Sequence, residues 1–100
     1  MSFSDLVSQD RRLVILRLLA EDLDHKLNTS VLQDALDLIG HGCSRDCVET
    51  DCSWLEEQGL VAVEHVGKDN AVTVVRLTGR GQDVAEGRAT VPGVKRPRAR

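Results

Sequence analysis

Three cysteines and a histidine fall close together, as His41-x-Cys43-x3-Cys47-x4-Cys52. Thiolates and imidazole are zinc-type ligands, so the spacing raises a cysteine-based metal sensor as one function. Cys43 and Cys47 are four apart near a helix start and can face one ion. Cys52 is five further on, on the same apolar stripe as Val48 and Leu55. Thiolate sites usually use C-x2-C knuckles or paired ligands on two elements, and this run has no such knuckle. Cysteine also serves as a small buried hydrophobe, so no metal or cofactor is expected. His25 and His65 stand alone, in a loop and a strand, and are expected to be structural or solvated. Catalytic signatures are missing: no glycine-rich phosphate loop, no H-E-x-x-H and no nucleophile elbow. The carboxylates are spread along solvated faces, so no enzyme is expected.

A second set of residues has the chemistry of nucleic-acid contact. Arg45, Thr50 and Ser53 lie on the outward side of one helix, and the arginine fork matches guanine O6 and N7. Asp46, Glu49, Glu56 and Glu57 share that side and repel phosphates. Further positive charge comes from Lys68, Arg76, Arg80 and Arg88, then Lys95, Arg96, Arg98 and Arg100. Residues 1–75 carry a net charge of −8 and residues 76–100 a net of +5. An acidic body with a basic end is expected either of a nucleic-acid-contacting arm or of a solvated terminus.

The elements that hold these residues follow from period and caps. The first clear helix starts near Ser8 and runs through Leu13, Leu16, Ala20 and Leu23, with Ile15, Leu18 and Leu19 on an adjacent arc. A second begins near Asn28 to Ser30, with Val31, Leu32, Ala35, Leu36 and Ile39 as its apolar stripe and Gly40 as its stop. After the tight Gly40–Cys43 connection, Ser44 caps a third helix, which Gly59 ends. The period then changes. Residues 60–66 and 71–77 are rich in β-branched residues and flank the polar turn 67–70, which predicts a hairpin. Thr78 caps a short last helix, roughly Gly79 to Arg88.

The expected class is therefore mainly α with a β-hairpin: a winged helix-turn-helix, made of a three-helix bundle, a two-stranded wing and a short C-terminal helix. Its size suits one domain over residues 1–88, with 89–100 as a flexible basic tail. Phe3 and Trp54 are the only aromatics, so the core is aliphatic and base-stacking platforms are excluded. No stretch approaches the about 18 apolar residues of a membrane span. With no secretory signal, the cysteines are expected to be reduced, in a cytoplasm.

Residues 54–61, WLEEQGLV, then the hairpin, then residues 77–85, LTGRGQDVA, are similar to winged-helix regulators of the ArsR and MarR type. In those, L-x-x-x-G-L-V ends the recognition helix and L-T-x-x-G follows the wing. The C-x-C pair of their metal-sensing members does not occur here. Over nearly its full length, including Val91 to Pro97, the chain resembles a small family of Mu-like bacteriophage proteins labelled ArsR-like. The resemblance implies a phage or prophage transcriptional regulator that binds duplex DNA through the third helix and wing. Helix one has a wide apolar arc, which makes a homodimer the expected state. The acidic outward side supports an alternative, a module that binds a basic protein partner.

Overall fold

The computed structural model describes residues 1–98: four helices and a three-stranded antiparallel sheet. Helix α1 (Phe3–Glu21) starts earlier than the expected Ser8. The reason is local: Ser2 accepts from the Asp5 amide and Asp5 accepts from the Ser2 amide, a reciprocal capping box. Leu13, Ile15, Leu16 and Leu19 of α1 are buried, which makes it the central helix. It ends before Leu23, which is 98% exposed and is not part of the expected stripe.

Strand β1 (Lys26–Asn28) follows, and then α2 (Thr29–Leu38), capped by the Asn28 side chain on the Val31 amide. Leu32 and Leu36 are buried, whereas Val31 and Ile39, expected on the same inner stripe, stay 45% and 52% exposed. At the end of α2, Gly40 has φ +85 and the His41 amide donates to the Leu36 carbonyl at 2.8 Å. This Schellman closure turns the chain tightly into α3 (Arg45–Glu57), whose first turn the Ser44 hydroxyl caps. The closure repeats at Gly59, where the Leu60 amide donates to Leu55 at 3.0 Å and the Leu60 side chain is buried.

Strands β2 (Val61–Val66) and β3 (Val72–Leu77) form the expected hairpin, joined by a 3-10 turn at Lys68–Asn70. The sheet is not two-stranded as expected, however. Strand β3 is central, with Leu27 of β1 opposite Val75 on one side and Val63 of β2 opposite Val75 on the other. Three residues are too few to show a strand period, so β1 left no legible pattern. Val61, Val75 and Leu77 face the core, while Lys26, Glu64 and Arg76 take the outer face.

Helix α4 (Gly79–Glu86) packs on α1. Thr78 caps it by accepting from the Gly81 amide, and its hydroxyl donates to the Gly59 carbonyl at 2.8 Å. The expectation of a flexible tail over 89–100 is corrected for residues 89–98, which pack back as a strap. Val91 and Val94 are only 5% and 8% exposed, and the Lys95 amide donates to the Gln9 carbonyl at 3.1 Å. Two valines three residues apart around a Pro-Gly turn suffice to anchor a short segment to an aliphatic core. Arg100, the last residue of that expected tail, lies outside the described residues. Among the described residues no helix is long and apolar enough to cross a membrane.

Gly81 tests this packing. A Cβ there would stand 2.0 Å from the Leu60 carbonyl oxygen, which is backbone and cannot swing aside. Gly81→Ala is expected to lower unfolding free energy by about 1–3 kcal/mol in urea titration. An unchanged midpoint would contradict the close approach of α4 to the α3–β2 turn.

Candidate functional site

Asp51, at the middle of α3, is 3% exposed and faces α1. Arg11 donates to it at 2.5 Å and Arg12 at 3.3 Å. Arg12 also lies 4.2 Å over the Trp54 ring and donates to the Gly93 carbonyl at 3.0 Å. Burial alone would lower the Arg11 pKa, but the hydrogen bond and charge of Asp51 raise it instead. With Asp51 and the Val48, Cys52 and Leu55 stripe turned inward, the opposite side of α3 must face solvent.

That outward side carries Arg45, Asp46, Glu49, Thr50, Ser53, Glu56 and Glu57, all exposed. Arg45 is held across the turn: it donates to Gln33 of α2 at 2.7 Å, and Gln33 donates to the Cys43 carbonyl at 3.2 Å. Two clefts run between α3 and the sheet. Arg45 and Glu49 line the first with residues 28–30 and 71–73. Glu49, Ser53 and Glu56 line the second, of about 380 Å³, with Val63, His65 and Thr73. Glu56 also accepts from the Val63 amide at 2.9 Å, which pins the outer edge of β2 to α3. His65 Nδ1 is 3.2 Å from the Thr73 hydroxyl, so this histidine is part of the sheet surface.

The other expected contact residues are dispersed. Lys68 is exposed in the turn at the hairpin tip. Arg76 sits on the outer sheet face, 3.9 Å from Glu64. Arg80 is exposed in the first turn of α4, and Arg88 is 3.4 Å from Glu86. Lys95 pairs with Asp10 of α1 at 3.1 Å, and Arg96 and Arg98 share a cleft with Arg17, again of α1. Arg45, Thr50 and Ser53 are thus brought together on one helix, whereas Lys95, Arg96 and Arg98 line a different cleft.

The cysteine cluster takes its chemistry from burial. Cys52 is in the core, and burial pushes its thiol up to about 12. Burial and the neighbouring Cys47 push Cys43 up to about 12 as well. A metal ligand is the thiolate, so an ion here would have to displace protons that burial holds more tightly than usual. His41 is turned to Asp10, with Nε2 and the carboxylate 2.5 Å apart. Among the described residues, no three His, Cys, Asp or Glu side chains are grouped to hold a metal ion.

The residues that organise this surface were not singled out by spacing. Asp51 is forty positions from Arg11 and Asp10 is thirty-one from His41, so no local pattern joins them. Asp51 on the inner side of a helix full of surface carboxylates is the one available signal.

These links have two measurable consequences. Asp51→Asn leaves two half-buried guanidinium groups without a countercharge. It is expected to destabilise by about 3 kcal/mol in urea titration, and a loss below about 1 would contradict the role of the pair. The second concerns acid. Burial opposes ionisation of Asp10, but hydrogen bonds and charge from His41 and Lys95 outweigh it, and its pKa falls below the ordinary 3.8. Its stabilising contribution is then complete above 3.8 and disappears as pH falls through the lower folded value. Asp10→Asn should therefore flatten the acid limb of the stability curve below pH 3.8, where an unchanged limb would contradict the linkage.

No protein-family model matches the chain. It is 56% identical over 97 residues to the uncharacterized protein gp26 of Escherichia phage Mu, an alignment that covers 97% of each chain. It is also 53% identical over 66 residues to an uncharacterized protein of Haemophilus influenzae, across 66% of this chain and 64% of that one. The phage side of the resemblance is borne out: the chain belongs to the family of the phage Mu gp26 protein.

Proposed function

We propose that this phage-related chain is a winged helix-turn-helix domain whose α3–hairpin face docks a basic protein segment. The order of helix, glycine turn, helix and hairpin supports the fold assignment. One observation carries the function. The exposed side of α3 bears Asp46, Glu49, Glu56 and Glu57 against the single cation Arg45. Affinity for duplex DNA comes chiefly from cations that displace counterions at phosphates. A helix with this balance repels a phosphate-lined groove and attracts Lys and Arg side chains. All three cysteines are free, which fits a reducing compartment such as a bacterial host cytoplasm. Phe3 and Leu6, exposed on the first turns of α1, support pairing of two copies.

A second reading is a DNA-binding transcriptional regulator of the ArsR or MarR type. It is favoured by Arg45, which Gln33 holds at the N-terminal end of α3 with Thr50 and Ser53 further along the exposed side. A guanidinium held there can reach a guanine edge.

Calorimetry with an oligo-arginine peptide separates the two. The wild type is expected to bind it, and a Glu49→Lys, Glu57→Lys double variant should bind about tenfold more weakly. Arg45→Ala should change peptide binding little. If the peptide is ignored while Arg45→Ala relaxes sequence preference on duplex DNA, the regulator reading replaces the one proposed.

A further inference from the structure

The folded strap creates a charged surface that the α3 face does not use. Val91 and Val94 are buried, and the Gly93 carbonyl is held by Arg12. The chain then returns, so that Pro97 lies beside Gly87 at the end of α4. Arg96 and Arg98 flank that proline and are carried to the side of Arg17 on α1. These three arginines, with Leu13, Asp10, Lys95 and Pro97, line a cleft of about 180 Å³. All three are exposed, and none makes an ion pair among the described residues.

The nearby carboxylates are mostly engaged. Asp10 is held by His41 and Lys95, and Glu86 by Gln82 and Arg88. Glu21 remains, on the rim of the wider cleft that Arg17 and Arg98 share with Pro97. Three exposed guanidinium groups free of ion pairs, with Lys95, therefore stand among the carboxylates of Asp10, Glu21 and Glu86, of which Glu21 alone has no partner among the described residues. Elsewhere the chain is acidic enough to bring the whole to a net −3.

We infer that this ridge of Arg17, Arg96 and Arg98 binds the phosphate backbone of duplex nucleic acid, as a second site separate from the α3 face. Guanidinium forks match phosphate oxygens two at a time, which suits a polyanion with regularly spaced charges. The lining offers no exposed large apolar side chain for insertion into a lipid surface, since Leu13 is buried. The cleft also lacks the aromatic platforms that grip unstacked single strands. Contact is to phosphate alone, so binding is indifferent to base sequence.

The test is fluorescence anisotropy of the full chain with labelled duplexes of unrelated sequence, at low and raised salt. Binding is expected at low salt, equal among sequences, with a log–log salt slope of about −2 to −3, as about three phosphate contacts require. An Arg17→Ala, Arg96→Ala, Arg98→Ala variant should bind about tenfold more weakly or worse, and the matching triple lysine variant should recover much of the loss. Circular dichroism on each variant checks that the fold is kept, as expected for exposed side chains. No wild-type binding at low salt overturns the inference. So does loss of duplex binding on Arg45→Ala with the ridge variant unaffected, because that places DNA on α3. Anionic phosphatidylglycerol vesicles and sedimentation of the protein alone complete the set. A ridge variant that loses vesicle binding or self-association, with duplex binding unchanged, assigns the ridge to lipid or to a second copy and likewise overturns it.

Discussion

Asp51 is a carboxylate almost wholly removed from water, and a charge in that position must be met by partners. Arg11 and Arg12 meet it from α1. Neighbouring residues on a helix diverge by about 100 degrees, so both arginines converge only if α1 presents one particular face to α3. The rotation of α1 and the inner side of α3 are thereby set together. Arg12 extends the constraint further, since it covers Trp54 and grips the Gly93 backbone. One buried carboxylate links two helices and the C-terminal strap. An aliphatic core of Leu, Val and Ile packs in many similar ways, and such an ionic link selects among them.

The distribution of charge follows from that link. With Asp51 inside, the remaining acids of α3 are on the solvent side, beside the hairpin. With the Gly93 carbonyl held and the Lys95 amide bonded to Gln9, residues 94–98 lie back on α1, and Arg96 and Arg98 stand by Arg17. Carboxylates thus predominate in the cleft of Glu49, Ser53 and Glu56, and cations in that of Arg17, Arg96 and Arg98. The basic end, visible as a net of +5 along residues 76–100, is thus partly folded against the acidic body of net −8.

Caps and stops were legible because each is a local pattern. Ser44, Thr78, Gly40 and Gly59 all act where short-range rules place them. The hairpin was legible for the same reason, as a change of period around a polar turn. The start of α1 was misplaced because the Ser2–Asp5 box precedes the apolar run. Strand β1 was invisible because pairing with β3, rather than propensity, makes it a strand. The strap was misread because Pro, Gly and Arg resemble a disordered end, and the residues that hold it, Gln9, Asp10 and Arg12, are distant in sequence. At the candidate surface, the outward side of α3 was read from helical period alone. The partners that orient it, Arg11, Arg12 and Gln33, depend on tertiary contacts that spacing does not encode.

Amide relaxation and exchange by NMR test most directly whether residues 89–98 belong to the folded body. Order parameters near about 0.85 through Val91–Lys95, with a slowly exchanging Lys95 amide, are the predicted result. Values below about 0.6 and free exchange at Lys95 would contradict the strap, and with it the placement of Arg96 and Arg98 beside Arg17.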